Sequence, residues 1–195
     1  LLEESGSIIE VGRFVLHEAL RQVAHWRRSR PEFRVAVNLS TLQLLRSELT
    51  SEIRHALEAA GVPGSALELE LTETLLMSNP EQAILTLSEL KALGVIIAVD
   101  DFGTGYSSLS YLKRLPIDKL KIDREFIRDL IEDPDDAVIV ETMLAMAQAL
   151  KIRATAEGVE NEAQLAFLAE HGCQEAQGFL FSRPLPAEAL WSTAE

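Results

Sequence analysis

Cysteine is almost absent. Cys173 is the only one in the chain, so no internal disulfide can form and the sequence is compatible with a reducing cytosol. No apolar run approaches the roughly 18 to 20 residues that a membrane-spanning helix needs, and no signal-peptide pattern opens the chain. The first residue is Leu1 rather than Met, which leads us to expect a piece of something longer. Positive charge is scarce: 18 Lys and Arg stand against 31 Asp and Glu, a net charge of −13. That balance argues against a surface built to grip the phosphates of DNA or RNA, so no direct nucleic-acid binding is expected. A small anionic substrate survives the argument, because bound metal ions reverse the local sign. The histidines His17, His25, His55 and His171 fall in helical patterns and make no ligand cluster, so any metal would be held mainly by oxygen. Gly/Ser linkers and low-complexity stretches are missing too. With 195 residues there is enough chain for one sizeable core and too little for two comfortable ones, so we expect one domain over residues 1–195.

What is present is an alternation of short β-rich runs with longer helical patterns. Strands are expected at residues 35–38, 67–72, 95–100, 119–123, 152–157 and 173–179. Leu42, Leu45, Leu49, Ile53 and Leu57 recur at three and four residues, as one buried helical stripe does. Ile139, Met143, Met146 and Leu150 do the same. Asn79-Pro80 followed by Gln82 predicts an N-cap, a proline at the first helical position and a capping-box partner. Gly94 suits the end of that helix. Repeated β-then-α units imply a parallel sheet. An open doubly wound sheet could stop at six strands, whereas a (β/α)8 barrel needs eight and about 250 residues. Strand chemistry favours the barrel. Leu67, Leu69 and Leu71 alternate with Glu68, Glu70 and Thr72; Leu120 and Ile122 with Lys119, Lys121 and Asp123; Ala154 and Ala156 with Arg153, Thr155 and Glu157. Apolar residues facing helices and polar residues facing the barrel axis explain this pattern, and two strands would then precede Leu1.

The polar groups able to carry chemistry gather at strand C-terminal ends: Asn38, Glu70, Asp100 with Asp101, Lys121 with Asp123, Glu157 and Gln177. In a (β/α)8 barrel that rim is where active sites are built. Carboxylates converging there would repel one another unless cations shared the site, and hard divalent ions such as Mg²⁺ or Mn²⁺ prefer oxygen ligands. Two ions about 3.5–4 Å apart would clamp the attacking and leaving oxygens of a phosphodiester. Asp100 and Asp101 are adjacent, so a regular strand would point them opposite ways. Both can bind metal if the strand ends there, and Phe102-Gly103-Thr104-Gly105 suits a turn. Each residue alone has a plainer use. A strand-end Asp caps or turns the chain, Lys121 is a buried ion-pair partner, and Asn38-Leu39-Ser40 caps the next helix. Glu132-Asp133 and Asp135-Asp136 are expected in a solvated loop.

In their order and spacing these motifs resemble the EAL family of cyclic di-GMP phosphodiesterases. The pieces are Asn38-Leu39-Ser40, Glu70-Leu71-Thr72-Glu73, Asp100-Asp101-Phe102-Gly103-Thr104-Gly105-Tyr106-Ser107-Ser108, Lys119-Leu120-Lys121-Ile122-Asp123, Ala156-Glu157-Gly158-Val159-Glu160 and Gln177-Gly178-Phe179. The match runs from Glu3-Glu4-Ser5-Gly6 to Ser182-Arg183-Pro184-Leu185-Pro186. The resemblance implies an α/β fold, the EAL-type (β/α)8 TIM-like barrel, here lacking its first two strands because the chain starts after the Glu-Ala-Leu strand. It implies two ions, Mg²⁺ or Mn²⁺. Asn38, Glu70 and Asp100 look like ligands of one, and Asp100, Asp101 and Glu157 like ligands of the other. Lys121 looks like the group that activates or positions the attacking water, and Glu160 like a further group of the catalytic apparatus just outside the ligands. Glu73 looks like a brace for the loop that follows Asp101; Gln177, Pro184 and Asp123 look like substrate contacts. The implied reaction is metal-dependent hydrolysis of cyclic di-GMP to linear pGpG. The alternative is a degenerate EAL domain acting as a receptor or interaction module. The missing strand would supply a further Glu ligand and an Arg, so by itself this stretch is expected to be weakly stable or inactive. A cytoplasmic location, homodimer formation and attached sensor or cyclase-like domains are implied by resemblance alone.

Strand parity carries a further expectation, independent of the family. If Glu70, Lys121, Glu157 and Gln177 face the barrel axis, then Glu68, Lys119, Arg153 and Glu175 face it one layer deeper. Barrel interiors are usually apolar, and an unpaired buried charge is costly. These four are therefore expected to form a buried ionic network beneath the metal site.

Overall fold

The structure, a computed structural model, describes residues 2–3, 5–103 and 109–190. Residues 104–108 of the loop motif and Glu4 lie outside the described residues. Along the rest, the chain runs through α1 (Ile8–Trp26), β1 (Val35–Asn38), α2 (Thr41–Leu44), α3 (Leu49–Ala60), β2 (Leu67–Thr72), α4 (Glu73–Ser78), α5 (Pro80–Ala92) and β3 (Ile96–Phe102). It continues through α6 (Leu109–Leu112), β4 (Lys119–Ile122), α7 (Arg124–Arg128), α8 (Pro134–Leu150), β5 (Arg153–Ala156), α9 (Glu162–Glu170) and β6 (Glu175–Ala176). The strands follow chain order in one six-stranded sheet. The pairs β1–β2, β2–β3 and β5–β6 are parallel, as strands joined through helical crossovers must be.

Two compact units are distinguished: Leu1–Asp100 with Thr104–Lys119, and Asp101–Gly103 with Leu120–Glu195. In the first, Leu67, Leu69 and Leu71 are buried beside Ile97 and Val99, and helices contribute Leu20, Val23, Ile53, Leu87 and Leu90. Each such side chain is worth about 1.5–3 kcal/mol when removed from water. The helix ends are specified locally. Ser40 and Gln43 form a reciprocal capping box ahead of α2. Asn79 caps α5 through its side chain, which accepts from the Gln82 backbone N–H, with Pro80 in the first turn. The Gln82 side chain does not complete a box; its Nε2 donates forward to Thr86 Oγ1 at 3.4 Å. The expected stripe from Leu42 to Leu57 is two helices, and Leu42 and Leu45 are exposed. Its periodicity is interrupted at Arg46-Ser47-Glu48, where the chain leaves α2 before α3 begins with a buried Leu49.

In the second unit Leu120, Ile122, Ala154 and Ala156 are buried in the strands, with Val140, Leu144, Ala147 and Leu168 from the helices. The buried face of α8 is Val140, Met143, Leu144 and Ala147, turned from the expected Ile139–Leu150 stripe, with Ile139 exposed. The acidic run at 132–136 is not a loop throughout. Asp133 caps α8 by accepting from Asp135 N–H at 2.9 Å, and Asp135 and Asp136 lie in the first turn, where the helix dipole favours negative charge. Asn161 and Gln164 form a second capping box. The Gln164 amide also donates to Ile127 O at 2.8 Å, tying α9 to α7.

The deeper ionic layer forms in part. Lys119 Nζ lies 2.8 Å from Glu68 Oε2, with both side chains buried. Arg153 does meet Glu175 at 3.4 Å, but its side chain is 60% exposed, which overturns the expected burial at β5. Arg153 opens that strand, and the pairing of β5 with β6 begins only at Thr155.

Candidate metal centre and adjoining groove

In the first unit, strand register locates three residues expected to be ligands. Asn38, the last residue of β1, is the Cα partner of Glu70, two residues before the end of β2, and Thr72 is the partner of Asp100 on β3. Asn38 is exposed and Glu70 half-buried.

Asp100 and Asp101 show how neighbouring residues avoid pointing apart. Asp101 has φ of 51°, in the left-handed region, inside the span of β3. The other described non-glycine residue with positive φ is Lys151, at the end of α8, where such geometry is ordinary. Within a strand it costs about 1–3 kcal/mol and marks a conformation imposed for a reason. Asp tolerates it better than most residues. The turn is the local device that brings both carboxylates to one side. One ligand atom each from Asp100, Asp101 and Glu157 lie within 4.8 Å of one another, all three residues partly exposed. This is the metal-competent acidic group among the described residues, and its donors are hard oxygens suited to a divalent ion. Glu70 lies outside that group.

In the second unit Glu157, just past β5, is the hub. Its Oε1 lies 2.6 Å from Lys121 Nζ, with the lysine side chain 5% exposed. It also accepts from Gln177 Nε2 at 2.6 Å. Gln177 reaches it because residues 177–180 run alongside 156–159: Gln177 N–H donates to Ala156 O, Val159 N–H to Gln177 O and Leu180 N–H to Val159 O. This approach requires Gly178. A Cβ there would sit 2.2 Å from Val159 O and 2.3 Å from Val159 N. The expected strand at 173–179 is therefore a two-residue ladder continued by these bonds.

The remaining expected residues are dispersed. Asp123 caps α7, accepting from Glu125 N–H at 2.7 Å. It also lines a cleft with Arg124, Arg128 and Glu160. Glu160 is exposed. Pro184 lines a groove of about 500 Å³ with Glu157, Glu160, Gln177, Phe179 and Arg183. Glu73 is buried at the start of α4, while the 104–108 loop it was expected to brace is outside the described residues. Two groove residues were missed from sequence, Arg124 and Arg183. The signal for Arg183 was its spacing of four from Phe179, over whose ring its guanidinium sits at 4.7 Å. Arg124 simply follows Asp123.

Comparison with known proteins places this geometry. The sequence matches the profile of the EAL domain family over residues 1–184. It is 47% identical over 191 residues to the bifunctional diguanylate cyclase/cyclic di-GMP phosphodiesterase MucR of Pseudomonas aeruginosa, covering 97% of this chain and 28% of that protein. It is 49% identical over 191 residues to the cyclic di-GMP phosphodiesterase NbdA of the same organism, covering 97% of this chain and 24% of that protein. The chain thus spans under a third of the length of these curated relatives. Among solved structures, the PaMucR phosphodiesterase in complex with c-di-GMP superposes with a TM-score of 0.94 at 47% identity, covering 97% of this chain and 77% of that one. The chain belongs to the EAL domain family and has its α/β, TIM-like barrel fold.

Proposed function

We propose that the protein carrying this chain hydrolyses cyclic di-GMP to linear pGpG, using two divalent ions, Mg²⁺ or Mn²⁺. The observation that supports this most is the convergence of Asp100, Asp101 and Glu157 within 4.8 Å, with the Lys121 ammonium 2.6 Å from Glu157. Relatives named for this activity reinforce it. Asn38, Glu70 and Asp100 would hold one ion, and Asp100, Asp101 and Glu157 the other, Asp100 being shared. When bound, such ions polarise phosphoryl oxygens, lower the pKa of water and stabilise charge on the leaving oxygen. In the reaction, the oxygen of water bonds to phosphorus, the bond from phosphorus to the ribose 3′ oxygen breaks, and that oxygen takes up a proton. Lys121 orients the attacking water from beside Glu157. Gln177 and Pro184 face the guanine base, joined by Asp123 at the neighbouring cleft, while Arg124 and Arg183 offer cations to phosphate. Glu160 orients polar groups at the groove, and Glu73 braces the loop after Asp101. Ca²⁺ substitutes poorly, because it does not hold the near-octahedral geometry Mg²⁺ demands.

No described helix is long and apolar enough to cross a membrane. We place the domain in the cytoplasm, attached to sensor or cyclase-like domains, with homodimer formation as a further element of this reading. The experiment that tests it compares Lys121→Ala with the unmutated protein. Turnover should fall by about 10²-fold or more while cyclic di-GMP affinity changes little, because the lysine acts in the transition state. Binding without turnover in the unmutated protein would instead establish a receptor.

A further inference from the structure

Two lysines stand on one face of β4, and each has a carboxylate partner. Lys119 and Lys121 are two residues apart, so strand alternation aims both the same way. Lys121 meets Glu157 at 2.6 Å. Lys119 meets Glu68 at 2.8 Å, with side chains 7% and 6% exposed. On β2, Glu68 precedes Glu70 by two residues and shares its face. The Glu68–Lys119 pair therefore lies one strand step below two residues assigned to the site, Glu70 and Lys121. Arg34, just ahead of β1, adds a guanidinium 3.6 Å from Glu68.

Stability does not explain this pair. Barrel interiors are normally filled by branched apolar side chains, and well-packed apolar replacements of a buried ion pair are often neutral or better. An ion pair differs from such packing in its intolerance of slip, since a shift of either strand strands two charges. We propose that Glu68 and Lys119 are positioning residues for the metal centre. The ion pair ties Lys119 to Glu68, and each stands two residues before a site residue on its own strand, Lys121 on β4 and Glu70 on β2. This inference rests on the hydrolytic reading of the site above.

The test uses the whole protein that carries this chain, with Glu68→Leu together with Lys119→Met, which removes both charges and keeps the volume apolar. The double variant should fold with a melting temperature close to the parent's, yet lose about ten- to a hundred-fold in kcat with KM nearly unchanged. Its Mn²⁺ affinity should weaken. The ¹⁵Nζ signal of Lys121, identified by its loss in Lys121→Arg, should move toward the position of a solvated lysine. The charge-reversed pair Glu68→Lys with Lys119→Glu should regain part of both. A stable double variant with parental kcat and an unmoved Lys121 signal would overturn the proposal. If the unmutated protein shows no turnover at all, the hydrolytic reading fails separately. The metal-free Lys121 signal then decides alone: moved, the pair positions Lys121; unmoved, it does not.

Discussion

Replacing Asp101 with Asn should stabilise the metal-free protein while removing its response to Mg²⁺. Asp101 lies with Asp100 and Glu157 in a group whose ligand atoms are within 4.8 Å. At that separation and an effective dielectric of about 20, two carboxylates repel by roughly 3.5 kcal/mol. Asp101 takes part in two such pairs. Lys121 is paired with Glu157, and all three acids are partly exposed. Solvent screening therefore cuts the recoverable repulsion to about 1–2 kcal/mol. Asn keeps the left-handed backbone of φ 51°, which it adopts as readily as Asp does, so no new strain offsets the gain. For a chain of this size each kcal/mol is worth about 2–4 °C in melting temperature. The metal-free variant should thus melt a few degrees higher. Mg²⁺ at a hundred times its dissociation constant should stabilise the unmutated protein by about 2.7 kcal/mol, and the variant far less. Thermal denaturation in chelator and in Mg²⁺ measures both. A variant less stable than its parent in chelator would show that the carboxylate repulsion is not recoverable, and one with a full Mg²⁺ shift that Asp101 is no ligand.

Three further outcomes follow from single observations. Gly178→Ala should cost about 2–3 kcal/mol, because its Cβ would lie 2.2 Å from Val159 O; urea denaturation checks this, and an unchanged midpoint would show that the two segments separate freely. Asn161→Ala should cost about 1 kcal/mol through loss of the α9 capping box, seen as a drop of a few degrees in melting temperature. Burial pushes the Cys173 thiol above its ordinary range, so it should alkylate far more slowly than free cysteine at pH 8. Because this folded-state pKa is raised, the associated stability is complete below the ordinary thiol pKa of about 8.5 and is lost as pH rises through the higher folded value; a pH series of denaturation midpoints reads that loss.

Much of the fold was legible because strand alternation and caps are local. The β1 and β2 spans were found to the residue, since Val35–Asn38 and Leu67–Thr72 carry their own periodicity. The α5 cap was readable for the same reason. Periodicity misled where an apolar repeat bridged a break, as between Leu45 and Leu49, and where a helix was apolar on several sides, as in α8. Parity is sound within a strand and silent about its ends. It placed Lys119 against Glu68 and failed at Arg153, where β6 has not yet begun to pair. At the site, the need for a turn at Asp100-Asp101 was readable from the carboxylates themselves, but its form, a left-handed Asp101 within the strand, was not. The contact between Gln177 and Glu157 is also non-local, depending on how closely Gly178 lets two segments approach.

In the proposed hydrolysis, Asp100, Asp101, Glu157 and Lys121 form the working centre of a metal-dependent phosphodiesterase. The deciding experiment is chromatography of cyclic di-GMP incubated with the whole protein that carries this chain and with its Asp100→Asn variant, each in Mg²⁺ and in excess chelator. One linear product, pGpG, is expected from the unmutated protein in Mg²⁺ and intact cyclic nucleotide in the other three reactions. Full turnover in chelator, or by Asp100→Asn, would contradict it.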